Sequence, residues 1–272
     1  MSSDHPIQVV AITGGKGGVG KTSVSVNLGL ALAETGKRVL LLDADLGLAN
    51  VDVLLGIKAE RTIADVVNGD CDLSEVLIRT ESGLSVIPAA SGIQSVVNMG
   101  PQQHAGIIHA FSALANDIDI LLIDTAAGIS DSVISFVRAA QEIAIVLCDE
   151  PSSMTDAYAL IKLLHRDCRK HDFRIIANMA RSPEEGRRLF GKFSAVAQRF
   201  LDIRMQYAGS IPFDDLARKA TQRQRPVLHA YPGSPAAVAY RSLAREVNTW
   251  PVGQQASGHL EFFVERLVQS TA

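Results

Sequence analysis

Cysteine is scarce in this chain. Three residues, Cys71, Cys148 and Cys168, are spread through 272 positions with no paired spacing, which excludes a disulfide framework and suits a reducing cytosol. Long apolar runs are missing too. No window approaches the roughly 20 apolar residues of a spanning helix. Met1–Pro6 leads at once into an apolar strand pattern, so no secretory signal is expected. Charge of one sign is also lacking: 26 Lys and Arg stand against 29 Asp and Glu. The net charge of −3 argues against nucleic acid as the dominant partner. No repeat of 20–50 residues is present, which excludes a solenoid. What the chain does have is 47% hydrophobic residues, arranged as apolar strands separated by helical stretches along nearly its whole length. That pattern predicts one α/β domain, a three-layer sandwich with a mostly parallel central sheet and helices on both faces.

Gly14-Gly15-Lys16-Gly17-Gly18-Val19-Gly20-Lys21-Thr22 carries the most information, because it fits the phosphate-loop pattern G-x-x-x-x-G-K-[ST] from Gly15 to Thr22. Gln8–Thr13 before it reads as a buried strand, and Thr22–Ala33 after it carries a helical apolar stripe. Glycines between strand and helix let backbone N–H groups turn inward on phosphate, and the helix start adds free donors and a partial positive charge. Gly15, Lys16, Gly17, Gly18, Val19, Gly20, Lys21, Thr22 and Ser23 are therefore the candidate ATP-binding set. Lys21 would bridge the β- and γ-phosphates, and Thr22 would give its hydroxyl to Mg²⁺. Lys16 is a second cation in the loop. It can be a solvated loop lysine, serve its own subunit's nucleotide, or reach a neighbour's.

Acids end two further strand patterns. Arg38–Asp43 leads into Ala44-Asp45, and Asp119–Asp124 leads into Thr125-Ala126-Ala127-Gly128. Carboxylates at the C-terminal ends of parallel strands lie on the ligand edge of such a sheet. Asp124 fits the Walker B role of holding Mg²⁺, and Asp43 would support the metal through its waters or brace the loop. Phe173–Asn178 ends a strand in an amide, which suits an adenine edge.

The loop with its extra lysine resembles the deviant Walker A signature of the MinD/ParA family of ATPases, and the resemblance covers nearly all the chain. Leu41–Leu55, Asp124–Ile129, Cys148-Asp149-Glu150-Pro151, Thr155–Lys162 and the tail Gly258–Phe263 resemble its flagellar-number-regulator branch, the FleN or FlhG type. That resemblance implies slow ATP hydrolysis with Lys16, Lys21 and Asp45 as the catalytic set. Lys16 would contact the partner subunit's nucleotide in a homodimer, and Asp45 would position the attacking water. It implies that Asn178 contacts adenine, that Tyr207–Asp214, with Pro212 and Asp214, packs on the base, and that Glu150 reaches the opposite ribose. It implies an antiactivator of a FleQ-type flagellar master transcription regulator, with the GTPase FlhF as a second partner. Met1–Ile7 holds no Asp-Gln-Ala-type activating motif, so direct stimulation of FlhF is not expected. Iron–sulfur relatives that share the loop need paired cysteines, which this chain lacks. The alternatives are a division-site or partition positioning ATPase, or a non-catalytic ATP-gated binding module.

Residues 1–250 read as the ATPase domain and 251–258 as a linker, the linker pattern beginning at Trp250-Pro251. Residues 259–270 read as an amphipathic helix with Leu260, Phe263, Val264 and Leu267 on one face. Its two glutamates and single arginine give little electrostatic help at anionic lipid. Docking on the protein's own body, with exposure on dimerisation, is the favoured reading. The expected location is cytoplasmic, or peripheral at the inner membrane or cell pole. Thr155–His165 reads as a helix capped by Ser153 or Thr155, and 182–200 as a helix with a solvated basic face.

Overall fold

The structure, a computed structural model, describes residues 7–45, 50–61, 65–66, 70–88, 114 and 117–252. In chain order the elements are β1 (Gln8–Thr13), α1 (Lys21–Glu34), β2 (Val39–Ala44), α2 (Val51–Leu55), α3 (Leu73–Val76), β3 (Ile78–Arg79), β4 (Leu84–Ile87), β5 (Ile120–Thr125) and α4 (Asp131–Ala139). They continue with β6 (Glu142–Leu147), α5 (Pro151–Cys168), β7 (Asp172–Ala180), α6 (Pro183–Phe200), β8 (Arg204–Pro212), α7 (Asp215–Gln222), α8 (Val227–Ala230) and α9 (Pro235–Val247).

The strands form one sheet in the order β3-β4-β2-β5-β1-β6-β7-β8. All pairs are parallel except β3 with β4. Parallel strands must be covered on both faces, which is why they read as continuous apolar runs. The pleat sorts them. Val9, Ala11, Leu40, Leu42, Leu121 and Ile123 join the core under α4, α5 and α6. Val10, Ile12, Val39, Leu41, Ile120 and Leu122 join the core under α1 and α9. Helix α1 is apolar nearly all round because the sheet lies on one side and α9 and α2 on others.

Two expectations needed correction. Helix α5 starts at Pro151 with Glu150 as its N-cap, not at Thr155. Proline at the first helical position loses no hydrogen bond, so the helix begins there. Ser153 instead accepts from the Cys148 N–H at 3.2 Å, and the Thr155 hydroxyl donates back to the Pro151 carbonyl at 3.0 Å. Trp250 is not linker: it is 3% exposed, and its ring lies 4.9 Å from the Arg174 guanidinium. An indole of that size is more favourably buried than solvated. The basic helix at 182–200 is found as α6, capped by Ser182, with Arg187, Arg188, Lys192 and Arg199 exposed. Residues 253–258 of the linker and the whole 259–270 segment lie outside the described residues, as do Leu46–Ala49 of the second acid loop.

Candidate nucleotide site

The sheet's strand order reverses around β1, and the crevice at such a point, beyond the C-terminal strand ends, is where open α/β sheets bind ligands. The phosphate loop leaves β1 there and enters α1. Gly20 caps that helix with φ 89, a left-handed conformation that favours glycine. Gly15 is required by contact instead: a Cβ would lie 2.2 Å from the Asp156 backbone of α5. Gly17, Gly18, Gly20, Lys21, Thr22, Ser23, Asp45, Asn50, Val53, Leu54, Ala127 and Thr221 line a cavity of about 380 Å³. Most of the predicted loop, with Asp45, is thereby gathered around one space.

Beneath it sit two buried carboxylates. Asp43 on β2 and Asp124 on β5 are register partners on adjacent strands, each 1% exposed. Asp43 accepts the backbone N–H groups of Asp45, Asn50 and Val51 at 3.0, 3.4 and 3.3 Å. Burial first, and then the charge of Asp124, push its pKa up to about 7. Asp124 is pushed up to about 6, chiefly by burial, against hydrogen bonds from Thr22 and Ser25. The Ser25 hydroxyl reaches Asp124 Oδ1 at 2.8 Å. Burial lowers the pKa of Lys21, and the charges of Asp124 and Asp45 oppose that. Lys21 is 8% exposed, and its ammonium donates to the Lys16 carbonyl at 3.4 Å.

This set fits a hard divalent cation. Its donors are all oxygen, and two crowded carboxylates resist being charged together until a cation arrives. No group of three or more His, Cys, Asp or Glu that could cage a metal exists among the described residues. A bound Mg²⁺ here would therefore keep waters and phosphate oxygens in its shell, with Thr22, Asp43 and Asp124 as the protein side.

The remaining expected residues are placed elsewhere. Lys16 does not line the cavity: its ammonium lies 2.5 Å from Glu150 Oε2 and 2.8 Å from the Ser152 hydroxyl. The hydrogen bond to Glu150 raises the lysine's pKa. Asn178 is buried, with its amide on the phosphate loop's Val19 carbonyl. Pro212 ends β8. Asp214 caps α7 at Leu216 N and also accepts from Ala236 N of α9, so both carboxylate oxygens bind backbone at 2.8 and 3.0 Å. Ser25, Val53, Leu54 and Thr221 were not expected in the site. Only Ser25 had a usable signal, since it follows Thr22 by one helical turn and so shares its face.

A model of the ParA family, described as NUBPL iron-transfer P-loop NTPase, matches residues 6–248. The three cysteines, Cys71, Cys148 and Cys168, are free thiols. The chain is 60% identical over 272 residues to the antiactivator FleN of Pseudomonas aeruginosa, covering 100% of this chain and 97% of that protein. It is 34% identical over 220 residues to the flagellum site-determining protein YlxH of Helicobacter pylori, covering 80% and 74%. Its fold matches the septum site-determining protein MinD from Pyrococcus horikoshii, solved with Mg-ADP, at TM-score 0.70 and 29% identity, covering 89% and 96%. With a family match from the first strand to the last described helix, and that likeness to FleN over its whole length, this chain belongs to the ParA family of P-loop NTPases.

Proposed function

We propose that this chain is an ATP-dependent switch ATPase that dimerises around nucleotide and limits flagellar number by restraining a FleQ-type transcription activator. The observation that carries the reading is the separation of its two loop lysines. Lys21 lines the chain's own cavity, while Lys16 stands outside it on Glu150. A cation beside the loop but outside the cavity is suited to a triphosphate presented by a second copy. The likeness to FleN and YlxH supports the flagellar assignment. FlhF remains a candidate second partner.

The chain's residues have separable tasks in this mechanism. Loop N–H groups and the start of α1 bind phosphate oxygens, and Lys21 neutralises charge that develops between them. Mg²⁺, when bound, supplies Lewis-acid stabilisation of the phosphoryl oxygens. Ser25 and Thr22 hold Asp124 in place. Asp45, at the cavity wall, orients the attacking water. Positioning and electrostatics supply the rate, and turnover is slow because a timer needs a long-lived loaded state.

Analytical sedimentation with ATP and ADP tests the switch. Wild type should dimerise with ATP only, Lys16→Ala should stay monomeric, and Asp45→Ala should dimerise yet hydrolyse poorly. A Lys16→Ala protein that dimerises like wild type removes the in-trans role. A flagellar gene reporter comparing Asp45→Ala with Lys21→Ala separates a hydrolysing switch from an ATP-gated binding module. The tail is tested by vesicle co-sedimentation of the full chain against residues 1–256. Among the described residues no helix is long and apolar enough to cross a membrane.

A further inference from the structure

Asp124 stands near the end of β5, buried beneath the cavity, and helix α1 holds it from one face. Thr22 and Ser25 both hydrogen-bond its carboxyl. They lie three positions apart, so they project from the same side of the helix. Thr22 lines the cavity, and Ser25, one turn deeper, does not. Ser25 is fully buried, and its hydroxyl donates to Asp124 Oδ1 at 2.8 Å. Its other contact is the carbonyl of Lys21, four residues back in its own helix, at 3.0 Å.

A hydroxyl has one hydrogen, so these two oxygens share it. The contact to Lys21 is the back-bond that serine makes inside a helix, and it fixes the side chain's rotamer. Ser25 is thus aimed at Asp124 by α1 itself, whatever occupies the cavity. Thr22 is placed differently: it borders the ligand space and would give its oxygen to Mg²⁺. Ser25 has no such second duty, and it reaches a bound metal only through Asp124. Mg²⁺ demands near-ideal octahedral geometry, so the direction of a carboxylate beside it matters to affinity. A group that orients that carboxylate from behind therefore acts on the metal without touching it.

We infer that Ser25 is a positioning residue for the metal, fixing the Asp124 carboxylate in the direction that Mg²⁺ requires. The inference rests on the nucleotide-binding reading of this site. It is tested by separating the two affinities in wild type and Ser25→Ala. A fluorescent ATP analogue is titrated in EDTA, and Mn²⁺, standing in for Mg²⁺, is then titrated into the analogue-loaded protein and followed by electron paramagnetic resonance. If Ser25 positions Asp124, nucleotide affinity in EDTA stays within about twofold of wild type. The metal affinity of the loaded protein falls roughly tenfold to a hundredfold. A lower melting temperature with unchanged metal affinity makes Ser25 a structural stitch between α1 and β5 and overturns the inference. Equal losses of nucleotide and metal affinity mean a distorted loop and overturn it too. A wild type that binds no nucleotide sinks the nucleotide reading, and this inference with it. If the alanine variant does not fold, Ser25→Cys, which keeps the side chain's shape but donates weakly, is read by the same ratio.

Discussion

Lys16 and Lys21 belong to one loop, yet the fold gives them opposite surroundings. Lys21 is buried over Asp124 and Asp45, and burial lowers its pKa. Lys16 is part-exposed at the rim, and its bond to Glu150 raises its pKa. The comparison teaches that the loop's glycines set where a lysine's backbone lies, while the strand ends decide what its ammonium meets. At the floor it meets crowded carboxylates that call for a cation and phosphate. At the rim it meets the exposed Glu150 carboxylate and the Ser152 hydroxyl.

The largest effect is expected at the floor. Lys21→Ala should weaken ATP binding at least a hundredfold and abolish hydrolysis, measured by fluorescent-nucleotide titration and phosphate release. If binding survives within threefold, the floor is not the phosphate site, and the contrast between the lysines disappears.

A smaller effect concerns stability. Asp43 and Asp124 have folded pKa values of about 7 and about 6, above the ordinary 3.8. A carboxyl with a raised folded pKa keeps its proton in the native state after the unfolded state has lost it. The nucleotide-free protein should therefore lose stability as pH rises from about 4 through about 7. Asp124→Asn replaces a buried charge with a neutral amide. It should melt higher than wild type above pH 7, by about 2–4 kcal/mol of relief, and lose Mg²⁺-dependent hydrolysis. Urea melts at pH 5.5 and 8.0 decide this; a wild type equally stable at both would show that the pair is not strained.

The smallest effect belongs to the rim. Glu150→Gln frees Lys16 but removes only a part-exposed ion pair, so the melting temperature should not move measurably. ATP-driven dimerisation should become easier by a few-fold. A dimer weakened by this change would instead mean that Glu150 itself contacts the second copy.

The sequence determined what is local. The Gly15–Thr22 spacing and the strand runs ending in Asp43 and Asp124 follow from backbone sterics and burial on both sheet faces, so they were legible residue by residue. Strand edges moved by a residue or two, and α5 began four residues early because Pro151 is a good first residue for a helix. The tertiary structure alone decided the long-range meetings. Lys16 and Glu150 are 134 residues apart, and Asn178 and Val19 are 159 apart. Asp214 ties α7 to α9, Thr221 reaches the cavity wall, and Trp250 folds into the core. None of these follows from spacing, because side-chain partners across a sheet are set by strand order and register, which no single stretch of chain contains.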